Sequence, residues 1–137
     1  MFDKTARFLK LPHSNERGLG PVLEEYAAAA PLPPYDTTPL AMPKPLARNR
    51  ERGNLAFSFA GLLAHSERVA KAECGGHVDG DGEIPLAVQR EVSRAFQAAA
   101  VGHVVDKIRQ CIEANKLKVK GLVVSGGVGS NKYLREE

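Results

Sequence analysis

GLVVSGGVGSN, at residues 121–131, carries the most specific signal in this chain of 137 residues. Its aliphatic run, Leu122 to Val124, predicts a strand that enters a loop with three glycines, and a short polar helix is predicted to begin at Asn131. This order lets backbone N–H groups and a helix N-terminus approach an anionic ligand without Cβ atoms in the way. The sequence therefore indicates an α/β protein that handles a nucleotide, and the motif's place near the end of the chain favours an incomplete one.

The loop matches neither of the two common phosphate-binding patterns. No Gly-Lys-Ser/Thr follows it, and Lys132 stands where G-x-G-x-x-G needs its third glycine. On pattern alone, two interpretations stay equally open, a nucleotide contact and a tight strand-to-helix turn that needs glycine for its geometry. Asn131 is likewise explained by helix capping alone.

Composition sets wide limits on function. Hydrophobic residues make up 43% and charged residues 26%, as in a globular protein with one core. The net charge of +3 permits a nucleic-acid partner without indicating one. Cys74 and Cys111 have no metal-ligand spacing, which favours reduced thiols. No apolar run approaches the roughly 18–20 residues of a membrane span, so we expect no membrane partner.

The periodicity of apolar residues predicts a mostly helical chain with a few strands. Helices are expected at 2–11 and 22–30, after Gly61, and over 84–116, and strands at 55–59 and 118–125. The longest helix carries an apolar stripe, and we expect the rest of the chain to be too small to cover it. The intervening segments are a proline-rich connector at 31–54 and an exposed loop at 74–83.

Other candidate sites have plain explanations. The acids near Cys74 lack the glycine and distant glutamate of a calcium loop, so a metal there is disfavoured. His103 lies beside the apolar stripe and is interpreted as structural. Basic residues between Lys44 and Arg52 are a solvated linker by default, with an RNA backbone contact as the alternative. By pattern alone, Asp3 is a solvated residue on the first helix.

Four segments in order resemble the TsaD (formerly Gcp) family of tRNA threonylcarbamoyladenosine synthases. They are FDKTAR at 2–7, GLGP at 18–21, FSFAGL at 57–62 and SGGVGSN at 125–131. The resemblance runs across the whole chain, and the first and third segments are closer to the bacterial and mitochondrial branch. Ala60 and Leu63 depart from the serine and lysine that the family usually has at these positions, so the resemblance assigns no ligand or RNA contact to them.

The resemblance implies an α/β fold of the actin-like kind, shared with sugar kinases and Hsp70, of which residues 1–137 would be one partial domain. It implies transfer of a threonylcarbamoyl group from threonylcarbamoyl-adenylate to the adenosine 3′ of the anticodon in tRNAs reading ANN codons. A divalent metal ion is expected in the full-length family. Expected partners are tRNA and either a second copy, in the mitochondrial branch, or partner proteins, in the bacterial branch. The expected location is the mitochondrion, with the cytoplasm as the alternative.

The resemblance also assigns substrate-binding residues. Asp3 would contact the ribose, the backbone of Gly20 would close against the nucleotide, and Asn131 would contact the nucleoside, next to Gly126 and Gly127 in the same loop. The family's metal ligands are a His-x-x-x-His pair upstream of its Phe-Asp-Lys motif and an aspartate downstream of the residue that matches Asn131. We therefore predict no metal ligand and no catalytic residue in this chain, which alone would be inactive.

Two alternatives remain open. The chain would be a non-catalytic binding protein if it docked onto a full-length homologue, or onto tRNA through its basic residues at 44–52. It would be a small-molecule kinase of the actin-like superfamily if the glycine loop were the only shared motif, although the Phe-Asp-Lys and Phe-Ser-Phe segments disfavour this.

Overall fold

The computed structural model describes residues 1–12, 18–35, 37–46, 56–76, 82–116 and 118–137. Within these ranges the chain forms five α-helices and no strand. The helices are α1 (Phe2–Phe8), α2 (Leu19–Ala28), α3 (Ala60–Glu73), α4 (Leu86–Ala114) and α5 (Lys132–Glu136), and a 3₁₀ turn at Gly127–Ser130 precedes α5. None of the helices in these ranges has both the length and the apolar character needed to cross a membrane.

Local chemistry sets the ends of α1 and α2. Lys10, at φ 54°, lies in the left-handed region and ends α1 earlier than predicted, with the N–H of Leu11 turning back to the Ala6 carbonyl at 3.0 Å. Helix α2 begins before the predicted residue 22, at Leu19. Pro21 is then its third residue, where no intrahelical N–H bond is lost.

Helix α4 is the central element, because α2 and α3 both pack on it and α1 packs on α2 and α3. The apolar stripe of α4 is buried from Val88 through Ala100, and Phe96 also meets the ring of Phe2 edge-on with centroids 5.2 Å apart. Full burial of one such side chain stabilises the fold by about 1.5–3 kcal/mol. The stripe is therefore covered over most of its length, more than we expected, and only its C-terminal part is half-buried.

A buried glutamate on α4 joins this helix to the proline-rich connector. Glu91 is 2% exposed, and its Oε1 accepts the backbone N–H of Leu40 at 2.9 Å while its Oε2 pairs with Arg94 at 2.5 Å. Arg94 also donates to the carbonyl of Ala29 at the end of α2. The buried charge is thus paired and hydrogen-bonded, which burial of a carboxylate requires. Residue 36 and residues 47–54 of the connector lie outside the described residues, as do residues 77–81 of the predicted exposed loop.

The predicted strands are not confirmed in the described part of the chain. Residues 118–125 are exposed throughout, Val123 by 93%, and no described backbone group pairs with them. Residues 56–59 are irregular, and Leu55 lies outside the described ranges. A strand exists only where a neighbour supplies hydrogen-bond partners to its N–H and C=O groups. An apolar run supplies the propensity for a strand but not that neighbour.

Candidate functional site

A cleft of about 660 Å³ lies where both ends of the chain meet α4. The N-terminal residues of α1 and α2 form one side, and the glycine loop, residues 125–131, contributes the other. One wall is apolar and comes from α4, through Ala100, Val101 and Val104. Polar groups are few and belong to Asp3, Glu24, Ser130 and Asn131.

Asp3 and Gly20 meet at the side formed by the helix N-termini. A Cβ atom built on Gly20 would lie 3.7 Å from Asp3 Oδ1, so α2 approaches the carboxylate of α1 closely. Gly18 is the N-cap residue of α2 and has no side chain, so no capping side chain among the described residues accepts from the first N–H groups of the helix. This side therefore combines a carboxylate, which accepts hydrogen bonds from hydroxyls, with a helix N-terminus, which favours anions.

Glycine is required for the shape of the loop. Gly126 has φ 91° and ψ 176°, a conformation that residues with a Cβ rarely adopt. The turn is closed by the N–H of Gly129, which donates to the Gly126 carbonyl at 3.0 Å. A Cβ on Gly129 would lie 3.3 Å from Val124 Cγ1, a tight contact. Gly127 lines the cleft, whereas Gly126 is not among the lining residues and shapes the turn.

Asn131 has two partners within the chain. Its Oδ1 accepts the N–H of Leu134 at 2.9 Å, which caps α5, and its Nδ2 donates to Gln97 Oε1 at 3.0 Å. Asn131 is only 7% exposed, yet it lines the cleft. The capping role that the pattern suggested is therefore present, together with a second bond to α4 that the pattern did not suggest.

Glu24 and Gln97 were missed by the sequence analysis, and both fix the glycine loop in place. Glu24 Oε1 accepts the backbone N–H of Lys132 at 2.7 Å, and Gln97 holds Asn131 from α4. One signal existed for Gln97, since it is the single polar residue in the otherwise apolar run from Ala95 to Val101. Nothing in the sequence near Glu24 distinguishes it from other surface acids.

Two phenylalanine rings that pack against a histidine line another part of the cleft. Phe57 and Phe59 line it, and both rings meet the His103 ring edge-on, at centroid distances of 5.8 and 5.4 Å. His103 Nε2 accepts the backbone N–H of Ser58 at 3.4 Å. Burial lowers the pKa of His103, nearby Lys107 lowers it further, and Asp106 opposes the shift. The structural role that we predicted for His103 is thus to hold the 57–59 segment on α4.

The described residues contain no cluster of metal-binding side chains. No group of three His, Cys, Asp or Glu side chains lies close enough together there to hold one. Of the basic residues at 44–52, only Lys44 is described, and Arg48, Arg50 and Arg52 lie outside the described ranges.

Four of the five predicted binding residues border this cleft, although they come from opposite ends of the chain. They are Asp3, Gly20, Gly127 and Asn131. Of the two positions that depart from the family pattern, Ala60 is the exposed first residue of α3 and Leu63 is half-buried in the same helix. Neither lines the cleft.

Comparisons with known proteins agree on one family. The family model for TsaD, described as tRNA N6-adenosine threonylcarbamoyltransferase, matches residues 1–137. Similar proteins with the same description come from Albidiferax ferrireducens (35% identity over 99% of this chain and 34% of the relative), Bordetella petrii (36%, 98% and 33%) and Legionella pneumophila (32%, 98% and 33%). The chain therefore spans about a third of the length of the relatives that it matches.

Proposed function

Because this chain belongs to the TsaD family of tRNA N6-adenosine threonylcarbamoyltransferases, we propose that its cleft binds the adenosine part of threonylcarbamoyl-adenylate during tRNA modification. The observation that carries the proposal is the convergence of Asp3, Gly20 and Asn131 on one cleft. The whole reaction we propose is transfer of the threonylcarbamoyl group to the adenosine 3′ of the anticodon in tRNAs reading ANN codons.

The chemistry of the cleft suits a nucleoside. Its volume, about 660 Å³, falls within the roughly 300–1,000 Å³ of small-molecule sites, which combine apolar walls with a few placed polar groups. The α4 wall offers an apolar surface for a purine ring. Asp3 offers an acceptor for ribose hydroxyls, and the N-terminus of α2 offers N–H groups for a phosphate.

This chain's own contribution to the reaction is to hold and orient the adenylate. The transfer is an acyl transfer from a mixed anhydride, and its rate depends on how well the reacting carbonyl is presented to the adenosine amine. The divalent metal ion expected in the family does not fit the described residues, which supply no set of three donors. We therefore propose that this chain by itself binds the adenylate without completing the transfer.

Partners and location follow the family resemblance. We propose tRNA as the macromolecular substrate, assembly with a second copy or with partner proteins, and a place in the actin-like two-lobed fold. Location in the mitochondrion stays a prediction, which rests on the resemblance of two motifs to the bacterial and mitochondrial branch of the family. The alternative function, binding to a homologue or to tRNA without an adenylate, predicts an empty cleft at saturating nucleotide.

A nucleotide titration tests the proposal. We expect the 137-residue chain to bind AMP, and 2′,3′-dideoxy-AMP to bind about tenfold more weakly because it lacks the hydroxyls for Asp3. In Asp3→Ala the two nucleotides should bind alike, which isolates the contact between carboxylate and ribose. Glu113→Ala, at an exposed position late in α4, is the matched control.

Three results would contradict the proposal. Absence of AMP binding, or an unchanged preference in Asp3→Ala, would remove the nucleoside site. Product formed by this chain alone from the adenylate donor and tRNA would overturn the claim that it binds without completing the transfer.

A further inference from the structure

Gln97 is a buried polar residue that lies just behind the cleft. It is 5% exposed, sits on α4 next to the fully buried Phe96, and is not among the residues that line the cleft. Its Oε1 accepts a hydrogen bond from Nδ2 of Asn131 at 3.0 Å, inside the protein. Because Gln97 does not border the cleft, it can affect a ligand there only through Asn131.

The two bonds of Asn131 select one orientation of its amide. Oδ1 accepts from the N–H of Leu134, and Nδ2 donates to Gln97 Oε1. Rotating the amide by half a turn would place Nδ2 against the Leu134 N–H, two donors, and Oδ1 against Gln97 Oε1, two acceptors. Both contacts would become repulsive in a buried site, where unmade hydrogen bonds cost most.

The selected orientation leaves one donor for the cleft. An amide nitrogen carries two hydrogens, and Gln97 takes one. The second has no partner among the described residues, although Asn131 borders the cleft. We infer that Gln97 is a positioning residue that fixes the Asn131 amide so that its second N–H is directed to an acceptor on the bound nucleoside. This inference rests on the proposed function, since the nucleoside is the ligand proposed there.

The neutral side chain suits this role. A methionine of similar length would fill the same space without an acceptor, and the Asn131 amide would then lose one of its two restraints. A glutamate would keep the acceptor and introduce a buried charge. The two substitutions therefore separate the acceptor from the packing of the side chain.

The test compares Gln97→Met with Gln97→Glu in the 137-residue chain. The matched control is Gln89→Met, on the same helix, because Gln89 donates to the Leu9 carbonyl at 2.9 Å and does not touch the glycine loop. The first readout is the pair of side-chain amide proton resonances of Asn131 by NMR, without ligand. The second is the affinity for AMP.

In Gln97→Met we expect the Asn131 amide resonances to move together and AMP to bind about tenfold more weakly, the effect of one lost hydrogen bond. Gln97→Glu should restore affinity to within about threefold, and Gln89→Met should change neither readout. Unchanged Asn131 resonances in Gln97→Met, an equal loss of affinity in Gln89→Met, or a folded Gln97→Glu that binds as weakly as Gln97→Met would each overturn the role.

Two safeguards keep the outcomes separate. If Gln97→Glu does not fold, the resonances of Gln97→Met decide the positioning role without it. If the unmodified chain binds no AMP, the proposed function fails, and the proposed contact between Asn131 and the nucleoside fails as well. The ligand-free resonances then still show whether Gln97 orients Asn131.

Discussion

Glu24 of α2 accepts a hydrogen bond from the backbone N–H of Lys132 at 2.7 Å, so α2 caps the N-terminus of α5. The two residues are 108 positions apart in the sequence. A carboxylate at a helix N-terminus satisfies a donor that the helix itself leaves open. Glu24 therefore helps to fix the glycine loop beside the cleft.

Replacing Glu24 tests this connection between the chain ends. Glu24→Leu should increase hydrogen exchange at the Lys132 amide about fivefold, because one hydrogen bond of about 1 kcal/mol is lost. Glu24→Gln keeps an acceptor and should stay within about twofold of the unmodified chain. Equal exchange rates in all three proteins would show that Glu24 does not hold α5.

His103 makes the fold sensitive to acid. Burial and Lys107 lower its pKa in the folded state, so between that value and the ordinary 6.5 the unfolded chain binds more protons. Stability from this group is therefore full above about pH 6.5 and falls as pH drops towards the folded pKa. Protonated Nε2 can no longer accept the Ser58 N–H, which loosens Phe57 and Phe59.

Urea unfolding between pH 8 and pH 5 measures this dependence. His103→Gln keeps a polar side chain that does not titrate, and it should flatten the curve over that range. The control is His65→Gln, which removes a different histidine, one that is hydrogen-bonded to Arg68 on α3. A curve that keeps its slope in His103→Gln would assign the acid sensitivity elsewhere.

Gly126 is the position where the glycine loop tolerates a side chain least. Its φ of 91° with extended ψ belongs to a region that is essentially reserved for glycine, and a Cβ there costs about 1–3 kcal/mol. Gly126→Ala should speed hydrogen exchange at the Gly129 amide by about tenfold, since that N–H closes the turn on the Gly126 carbonyl.

Gly121→Ala is the control for Gly126→Ala, because its Cβ would meet open space and its φ is not left-handed. It should leave the Gly129 amide within about twofold of the unmodified chain. If both variants exchanged alike, the conformation of Gly126 would not be what closes the turn.

The helices could be predicted because their signals are local. The stripe through Val92 and Phe96, with Pro85 just before the helix, predicted residues 84–116, and the structure has Leu86–Ala114. The ends differ by a few residues where backbone geometry decides, as at Lys10 with its positive φ. Asp3, Gly20 and Asn131 could be singled out because each belongs to a short motif. The spacing of the motifs did not show that the three residues lie close together in the fold.

The amphipathic helices, the glycine that the turn at 126 requires, and the ordered motifs that identify the family all follow from local sequence. Long-range packing, in contrast, brings both chain ends to α4 at one cleft and lets Gln97 and Glu24 hold the glycine loop. It also leaves residues 118–125 without a backbone hydrogen-bond partner among the described segments. Periodicity records which face of one helix is buried. Periodicity gives no information about a hydrogen bond between residues 34 or 108 positions apart, or about the neighbouring strand that a strand needs.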